Sequence, residues 1–479
     1  MEQENGMEDR AGINQFLAEV NDEIKLAYEQ HDYEKAVCCA KFLCSFYYEY
    51  DYKQQDDQME FYARACALEC TGELRLENTD KKKVFFYDRF ALNSRGLANI
   101  YVKALLALGY EVVWCLFEAG AETEQILQRY SDEKKLHFVL IPRLAVIERM
   151  HALKELILRE RAHHFFIYTT PYDVECIGVF GVLGGDVRRY LINLTDHTFW
   201  LGRCALDRCI EFRNFGANLS VKYRKIRKDQ IVMLPYYPER RQQEPFQGLP
   251  FPEGEKFVFS GGSAYKIEGS DRFEQIVSRL LERHPDLKFI FATRDQSEKL
   301  DALASRYKNR FFVIQERMDV EALLRRAAFF LSTYPIPGGL MIQYALMNQC
   351  VPLCLADKNN FCSDPASYLL EPEKIDFVFY EPEALLEKAE LLLSGCEGQK
   401  DIYEHFVIAE KDFVRNLGYV LEAKSTDYDF LEEEIDLSVF HSYYENRLTP
   451  DNFRESLRQS NNKWLAEKYP ELFNGSSGV

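Results

Sequence analysis

Gly338 and Gly339 stand where a short apolar run meets an amphipathic one, in the stretch 331–355, LSTYPIPGGLMIQYALMNQCVPLCL. Glycine at a helix start lets a ligand come close to the backbone. The unpaired N–H groups and partial positive charge at that helix end favour an anion such as a diphosphate. A plain tight turn uses the same two residues, so the surrounding chain has to decide between the readings. What must hold these glycines is a strand ending near Tyr334, a helix starting at the glycines, and a second apolar strand after Val351-Pro352.

Composition narrows the classes. The chain has 479 residues, enough for several domains, with 47% apolar and 14% aromatic residues to fill their cores. Its net charge of −18 disfavours general nucleic-acid binding, which needs a basic footprint. The basic stretch 222–229, KYRKIRKD, reads as a solvated face. Thirteen cysteines are scattered through apolar runs without paired metal-ligand spacing, as expected of reduced core residues in a cytoplasmic protein. The start of the chain is acidic and polar, unlike a signal peptide, and no run of 18 apolar residues predicts a transmembrane segment.

Four segments follow from the pattern. Residues 1–78 form a helical prefix, with Ile13, Phe16, Leu17, Val20, Ile24 and Ala27 at helical spacing. The run AYEQHDYEKAV looks like the turn of a tetratricopeptide helix pair, but only about one and a half copies are present. Such a prefix must dock on the main body, and it is a possible seat for a protein partner. Residues 79–245 alternate strand and helix, with strands expected in KKKVFFYDRF, YEVVWCLF, HFVLIP, HFFIYTT, VECIGVFG and RYLINLT. Residues 246–399 repeat the βα pattern after the Pro- and Gln-rich linker YYPERRQQEPFQGLPFPEG, and residues 400–479 form a polar helical extension. The fold class is therefore α/β, with two tandem Rossmann-like domains between helical ends. Two such domains offer a ligand cleft at the C-terminal edges of their sheets.

In order and spacing these motifs resemble the GT-B-fold, nucleotide-sugar-dependent glycosyltransferases over roughly residues 80–400. The resemblance implies a C-terminal domain that holds a nucleotide sugar, most simply a UDP-linked hexose or N-acetylhexosamine, and an N-terminal domain that holds the acceptor. The acceptor would be a glycan, a lipid-linked glycan or a protein. FVFSGGSAYKIEG is similar to the family's first donor-side turn, so Ser260, Gly261, Gly262 and Lys266 map onto the diphosphate contacts. The alternative for Lys266 is a solvent-exposed turn lysine. On the second donor-side element fall Thr333, Tyr334, Pro335, Gly338, Gly339, Leu340 and Tyr344. Asp364 and Ser367 match small polar residues near the donor, or simply cap a helix. The retaining branch of the family carries two glutamates around this turn, and here those positions are Ile336 and Tyr344. The resemblance therefore leans towards inversion.

Inversion needs a group that aligns or deprotonates the acceptor. His197, beside Asp196 in NLTDHTFWLG, is the first candidate, and a satisfied structural histidine is the alternative. Thr198, Trp200 and Arg213 are acceptor-side candidates in or near the same segment, although Phe199 and Trp200 can equally pack a core and Arg213 can pair with Glu211. Asn93, Ser94, Arg95 and Gly96 occupy the loop where the family often places a glycine-rich turn. Tyr172 and Asp173 follow the end of another strand and are candidates to contact the acceptor, while His163-His164 at the start of that strand read as surface residues. No metal is expected: Asp427-Tyr428-Asp429 lies in the helical extension, far from the donor motifs. Two other outcomes stay open, a catalytically silent GT-B-like partner or chaperone of another transferase, and a nucleotide-sugar epimerase on the same fold.

Overall fold

The computed structural model describes residues 10–90, 97–117, 121–142, 144–240, 244–395 and 404–473. The chain divides into two compact units. The first comprises the chain up to Leu234 together with Val414–Glu433 and the residues from Tyr444 on; the second comprises Pro235–Phe413 and Glu434–Tyr443.

The first unit is built on a parallel sheet of seven strands. These are β2 (Asp80–Asp88), β3 (Glu111–Phe117), β4 (Leu136–Ile141), β5 (Ala162–Tyr168), β7 (Arg188–Ile192), β8 (Arg208–Glu211) and β9 (Ile231–Met233). Their spatial order is β4-β3-β2-β5-β7-β8-β9. Two further strands among the described residues, β1 (Leu74–Leu76) and β6 (Leu183–Gly185), pair with each other. Val84, Phe85, Phe86 and Tyr87 of β2 are all fully buried, as a strand covered on both faces requires.

The helical prefix is α1 (Arg10–Glu29), α2 (Tyr33–Glu49) and α3 (Asp57–Thr71). The six apolar residues of the expected α1 stripe are its buried residues. Asp32 and Asp56 cap α2 and α3 through their carboxylates. The prefix shares its core with the sheet layer and with the end of the chain. Phe453, from the helix Pro450–Gln459, stands 5.4 Å from Phe16 and 5.8 Å from Phe46, and Tyr469 stands 4.8 Å from Phe16. Glu60 of α3 reaches across and accepts from the backbone N–H groups of Gly202, Arg203 and Cys204 at 2.8–3.0 Å.

One expected strand is a helix. VECIGVFG lies in the helix Val174–Val182. A short apolar run rich in Val, Ile and Phe does not distinguish the two by periodicity. Its glycines decide the matter in space: a Cβ on Gly178 would stand 2.2 Å from the Ala63 carbonyl oxygen, so only glycine lets this helix cross α3 so closely.

The second unit carries a parallel sheet of six strands: β10 (Phe257–Gly261), β11 (Lys288–Ala292), β12 (Phe311–Ile314), β13 (Phe329–Leu331), β14 (Pro352–Leu355) and β15 (Val378–Phe379). Their order is β12-β11-β10-β13-β14-β15. The first three strands run one way from β10 and the next three the other way. The topology therefore reverses between β10 and β13, and ligands of open α/β sheets bind outside the C-terminal ends of the strands at such a reversal. The passage expected as a linker lies along this unit, where Gln247 N–H donates to Asp319 at 2.8 Å and Arg317 donates to the Gly248 carbonyl at 2.6 Å. Among the described residues no helix is long and apolar enough to cross a membrane.

Candidate functional site

The two glycine motifs of the second unit, Gly261-Gly262 and Gly338-Gly339, meet at the β10/β13 reversal. Gly261 ends β10, and a Cβ there would approach the Ala292 carbonyl to 3.0 Å. Gly262 follows with φ +145°, a conformation residues with a side chain rarely adopt. The turn is pinned by the Asp295 carboxylate, which accepts from Ala264 N–H at 2.7 Å. From β13 the chain passes through Thr333, Tyr334 and Pro335 into the helix Gly339–Met347. Thr333 Oγ1 donates to the Ile336 carbonyl at 2.7 Å, and Ile336 N–H donates to the Lys266 carbonyl at 3.3 Å. The Lys266 ammonium sits 3.4 Å from the Pro337 carbonyl oxygen. A cation and a helix N-terminus thus share one small region.

The glycine pair divides its work. A Cβ on Gly339 would press into the Tyr368 ring at 2.5 Å, so this glycine is demanded by the protein's own packing. At Gly338 a Cβ would meet only Met341 at 3.5 Å and Lys266 Nζ at 3.9 Å, ordinary contacts. Among the described residues no close contact requires glycine at Gly338, and its backbone is left open on that side. The helix itself is anchored by Gln343, whose Nε2 donates to the carbonyls of Tyr236 (3.0 Å) and Tyr368 (3.2 Å).

Other donor-side candidates take structural parts. Tyr344 is buried and its hydroxyl donates to the Glu239 carbonyl at 2.8 Å. Ile336 is also buried. Asp364 accepts from Ala366 N–H at 2.9 Å and caps the short turn Pro365–Tyr368, while Ser367 Oγ donates to the Asp364 carbonyl. One cation escaped the sequence reading: Arg272 stands 5.8 Å over the Tyr334 ring, its NH1 3.5 Å from the phenol oxygen. Its place at the start of the helix Arg272–Arg283 carried no motif to mark it.

In the first unit the candidates around β7 and β8 gather into a buried ionic network. Arg213 forms a bidentate pair with Asp196, Nε to Oδ2 at 2.5 Å and NH2 to Oδ1 at 2.9 Å, both side chains almost fully buried. Burial alone would raise the Asp196 carboxyl, but the Arg213 charge and the neighbouring His197 outweigh it and hold it at about 2. His197 is half-buried with Nδ1 3.5 Å from Asp196 Oδ1. Glu211 accepts from Asn193 (3.0 Å) and Ser220 (2.5 Å), and burial, partly offset by these donors and by Arg224, pushes its carboxyl up to about 7. A Cβ on Gly216 would come within 2.6–2.8 Å of Asp196 and Glu211, so glycine is what admits the helix Asn214–Lys222 against the network.

Several expectations are corrected here. Trp200 and Thr198 are buried rather than presented to a ligand; the Trp200 ring packs 5.3 Å from the Arg224 guanidinium. Arg213 pairs with Asp196, not Glu211, and has no exposed surface to offer an acceptor. His163 and His164 are buried on central strand β5, where burial lowers the His164 imidazole to about 3. Arg224, expected on a solvated basic face, is buried and donates to Gln54, Asp196 and Thr198. Asp173 is also buried: it accepts from Tyr87 and Thr169, while its other oxygen has no hydrogen-bond partner among the described residues. Tyr172 is half-buried beside Tyr48. Asn93, Ser94, Arg95 and Gly96 lie outside the described residues.

No protein-family model matches the sequence, and no curated protein is similar enough to count as a match. Solved structures do share the fold. A protein from Listeria monocytogenes assigned as a UDP-N-acetylglucosamine 2-epimerase superposes with a TM-score of 0.50 at 10% identity, over 74% of this chain and 100% of that one. Anabaena HepE, solved with UDP and glucose, superposes with 0.50 at 13% identity, over 71% and 100%. An O-GlcNAc transferase from Thermobaculum terrenum spans 91% of this chain and 80% of its own at 14% identity, with a TM-score of 0.47. The chain has a GT-B-type fold, as found in nucleotide-sugar glycosyltransferases and in UDP-N-acetylglucosamine 2-epimerases.

Proposed function

We propose that the protein is a glycosyltransferase that moves a hexose or N-acetylhexosamine from a UDP-linked donor to a glycan, a lipid-linked glycan or a protein, with inversion at the anomeric carbon. One observation carries the reading. The Gly261–Gly262 turn, the Lys266 ammonium and the start of the helix Gly339–Met347 converge at the β10/β13 reversal, with Gly338 open to a ligand. Two phosphate charges need donors and a cation, and this corner supplies both. The presence of UDP in HepE, a protein of the same fold, supports the choice of nucleotide.

The absence of carboxylates at Ile336 and Tyr344 supports inversion, since a retaining enzyme of the resemblance would place them there. In the first unit His197 is the proposed acceptor-side base. Asp196, kept ionised by Arg213, lies within 3.5 Å to orient its ring. Asp196 is then a positioning residue, because its own oxygens are engaged by Arg213.

The test is UDP affinity by calorimetry, together with UDP release from a panel of UDP-hexoses and UDP-N-acetylhexosamines with water or mixed glycans as acceptor. Lys266→Ala should weaken UDP binding by about tenfold or more, the scale of one charge-assisted contact. His197→Ala should abolish release while keeping donor affinity. Unchanged affinity in Lys266→Ala refutes the donor site. Donor binding without turnover points to a silent partner, and interconversion of free nucleotide sugars points to an epimerase.

A further inference from the structure

A cavity lies in the first unit, apart from every candidate site residue named above except Tyr172. It measures about 520 Å³ and runs between α2 and the helices Pro450–Gln459 and Lys463–Lys468. That volume falls within the roughly 300–1,000 Å³ of small-molecule sites. Tyr172 joins it to the C-terminal end of β5, the sheet edge where this architecture places ligands. Lys41 lines it from α2 and holds the buried Glu175 carboxylate at 2.9 Å, so the wall is tied to the Rossmann layer rather than floating on a flexible prefix.

The lining has a definite chemical character. Glu34, Glu49, Lys41 and Lys463 line it, with Lys41 paired to Glu175 and the Lys463 ammonium 4.2 Å over the Trp464 ring, so no cluster of cations is left to draw in a phosphate. Around them stand Ser45, Asn461 and the rings of Tyr172 and Trp464. Aromatic rings offer flat apolar faces, while hydroxyl, amide and carboxylate groups offer donors and acceptors in several directions. That combination suits a neutral polyhydroxylated ligand, whose C–H faces lie on rings and whose hydroxyls need both donors and acceptors.

We propose that this cavity binds a neutral saccharide of one or a few units and, resting on the glycosyltransferase reading, that the saccharide belongs to the acceptor glycan. The helical prefix and the chain's final helices are then the parts that select the acceptor. Trp464 makes the proposal measurable: Trp114 and Trp200 are buried, and Trp464 is the half-buried tryptophan at the cavity.

The experiment titrates the full chain with maltotriose, lactose and diacetylchitobiose. Tryptophan fluorescence and saturation-transfer NMR follow the saccharide, and UDP affinity is measured in parallel. At least one saccharide should bind and perturb the Trp464 emission. Trp464→Ala should weaken it by about tenfold or more, as should Ser45→Phe, which fills the cavity from α2 and leaves Trp464 in place. UDP affinity should not move in either variant. Failure of all three sugars to bind overturns the proposal, as does binding that both variants leave intact. Should Trp464→Ala not fold, Ser45→Phe decides. If UDP does not bind but the saccharide behaves as stated, the donor reading fails and the cavity assignment stands; the converse result separates them the other way.

Discussion

Gly338 and Gly339 are adjacent and chemically identical, yet the surrounding atoms give them opposite roles. Gly339→Ala forces a methyl group into the Tyr368 ring and should destabilise the fold by about 1–3 kcal/mol, read from urea denaturation. Gly338→Ala meets only ordinary contacts, so the fold should hold while UDP affinity falls; equal loss of stability in the two variants would remove the argument for an open cradle. The buried carboxylates make a second residue-level prediction. Folded Glu211 keeps its proton up to about 7, whereas the unfolded carboxyl releases it near 4.5. Stability should therefore fall as the pH rises through that interval and level off above it. Asp196 works in the opposite sense: its ionised form is favoured by the fold, a contribution present above 3.8 and lost as the pH falls towards about 2. Glu211→Gln should flatten the slope between about pH 5 and pH 7, measured as the denaturation midpoint across that range; a slope identical to the parent's would assign the titration elsewhere.

At the scale of elements, the helix Val174–Val182 shows how packing overrides local preference. Its β-branched and aromatic residues suit a strand, and its glycines weaken a helix. What makes it helical is its crossing with α3, where Gly178 lies against the Ala63 carbonyl. Gly178→Ala should therefore cost about 1–3 kcal/mol although alanine is the better helix former, and chemical denaturation is the check. A stabilised variant would show that the crossing is looser than described. The candidate donor site has the same character. Lys266 and Gly338 were each readable as motif residues, but the contact between their two turns follows from strand order, which brings β10 and β13 together although β11 and β12 lie between them in sequence. Arg272 was not readable at all, since a helix-start arginine has no distinctive spacing.

Over the whole molecule, the chain's end returns to its beginning. Phe453, Leu457, Leu465 and Leu472 are buried in the core that holds Phe16, Phe42 and Phe46 of the prefix. The prefix falls short of the three repeats that a free-standing array needs, and the returning helices supply the missing cover. Ending the chain before Thr449 should lower the first unit's melting temperature by about 10 °C or more, given several kcal/mol of lost apolar burial. Calorimetry of the truncated chain provides the test, and an unmoved transition would mean that the terminal helices add no stability. The same helices wall the saccharide cavity, so truncation should also abolish its binding.

By itself the sequence determined the elements and the fold class. Apolar period, Gly and Pro punctuation and capping residues are local signals, and they marked the central strands of both sheets and both glycine turns of the second unit, but not the short strands β1, β6, β8, β9 and β15. It also places Ile336 and Tyr344 where the resemblance implies the carboxylates of a retaining enzyme. The tertiary structure alone decided what each polar residue faces. Arg213 met Asp196 rather than Glu211, and Trp200 turned to the core rather than to a ligand. Burial and partner choice are non-local: they depend on which strands lie side by side and on where a glycine lets two helices touch. A residue's type and spacing can state what chemistry it is able to do, but only its packed neighbours settle whether that chemistry is spent within the fold or left for a ligand.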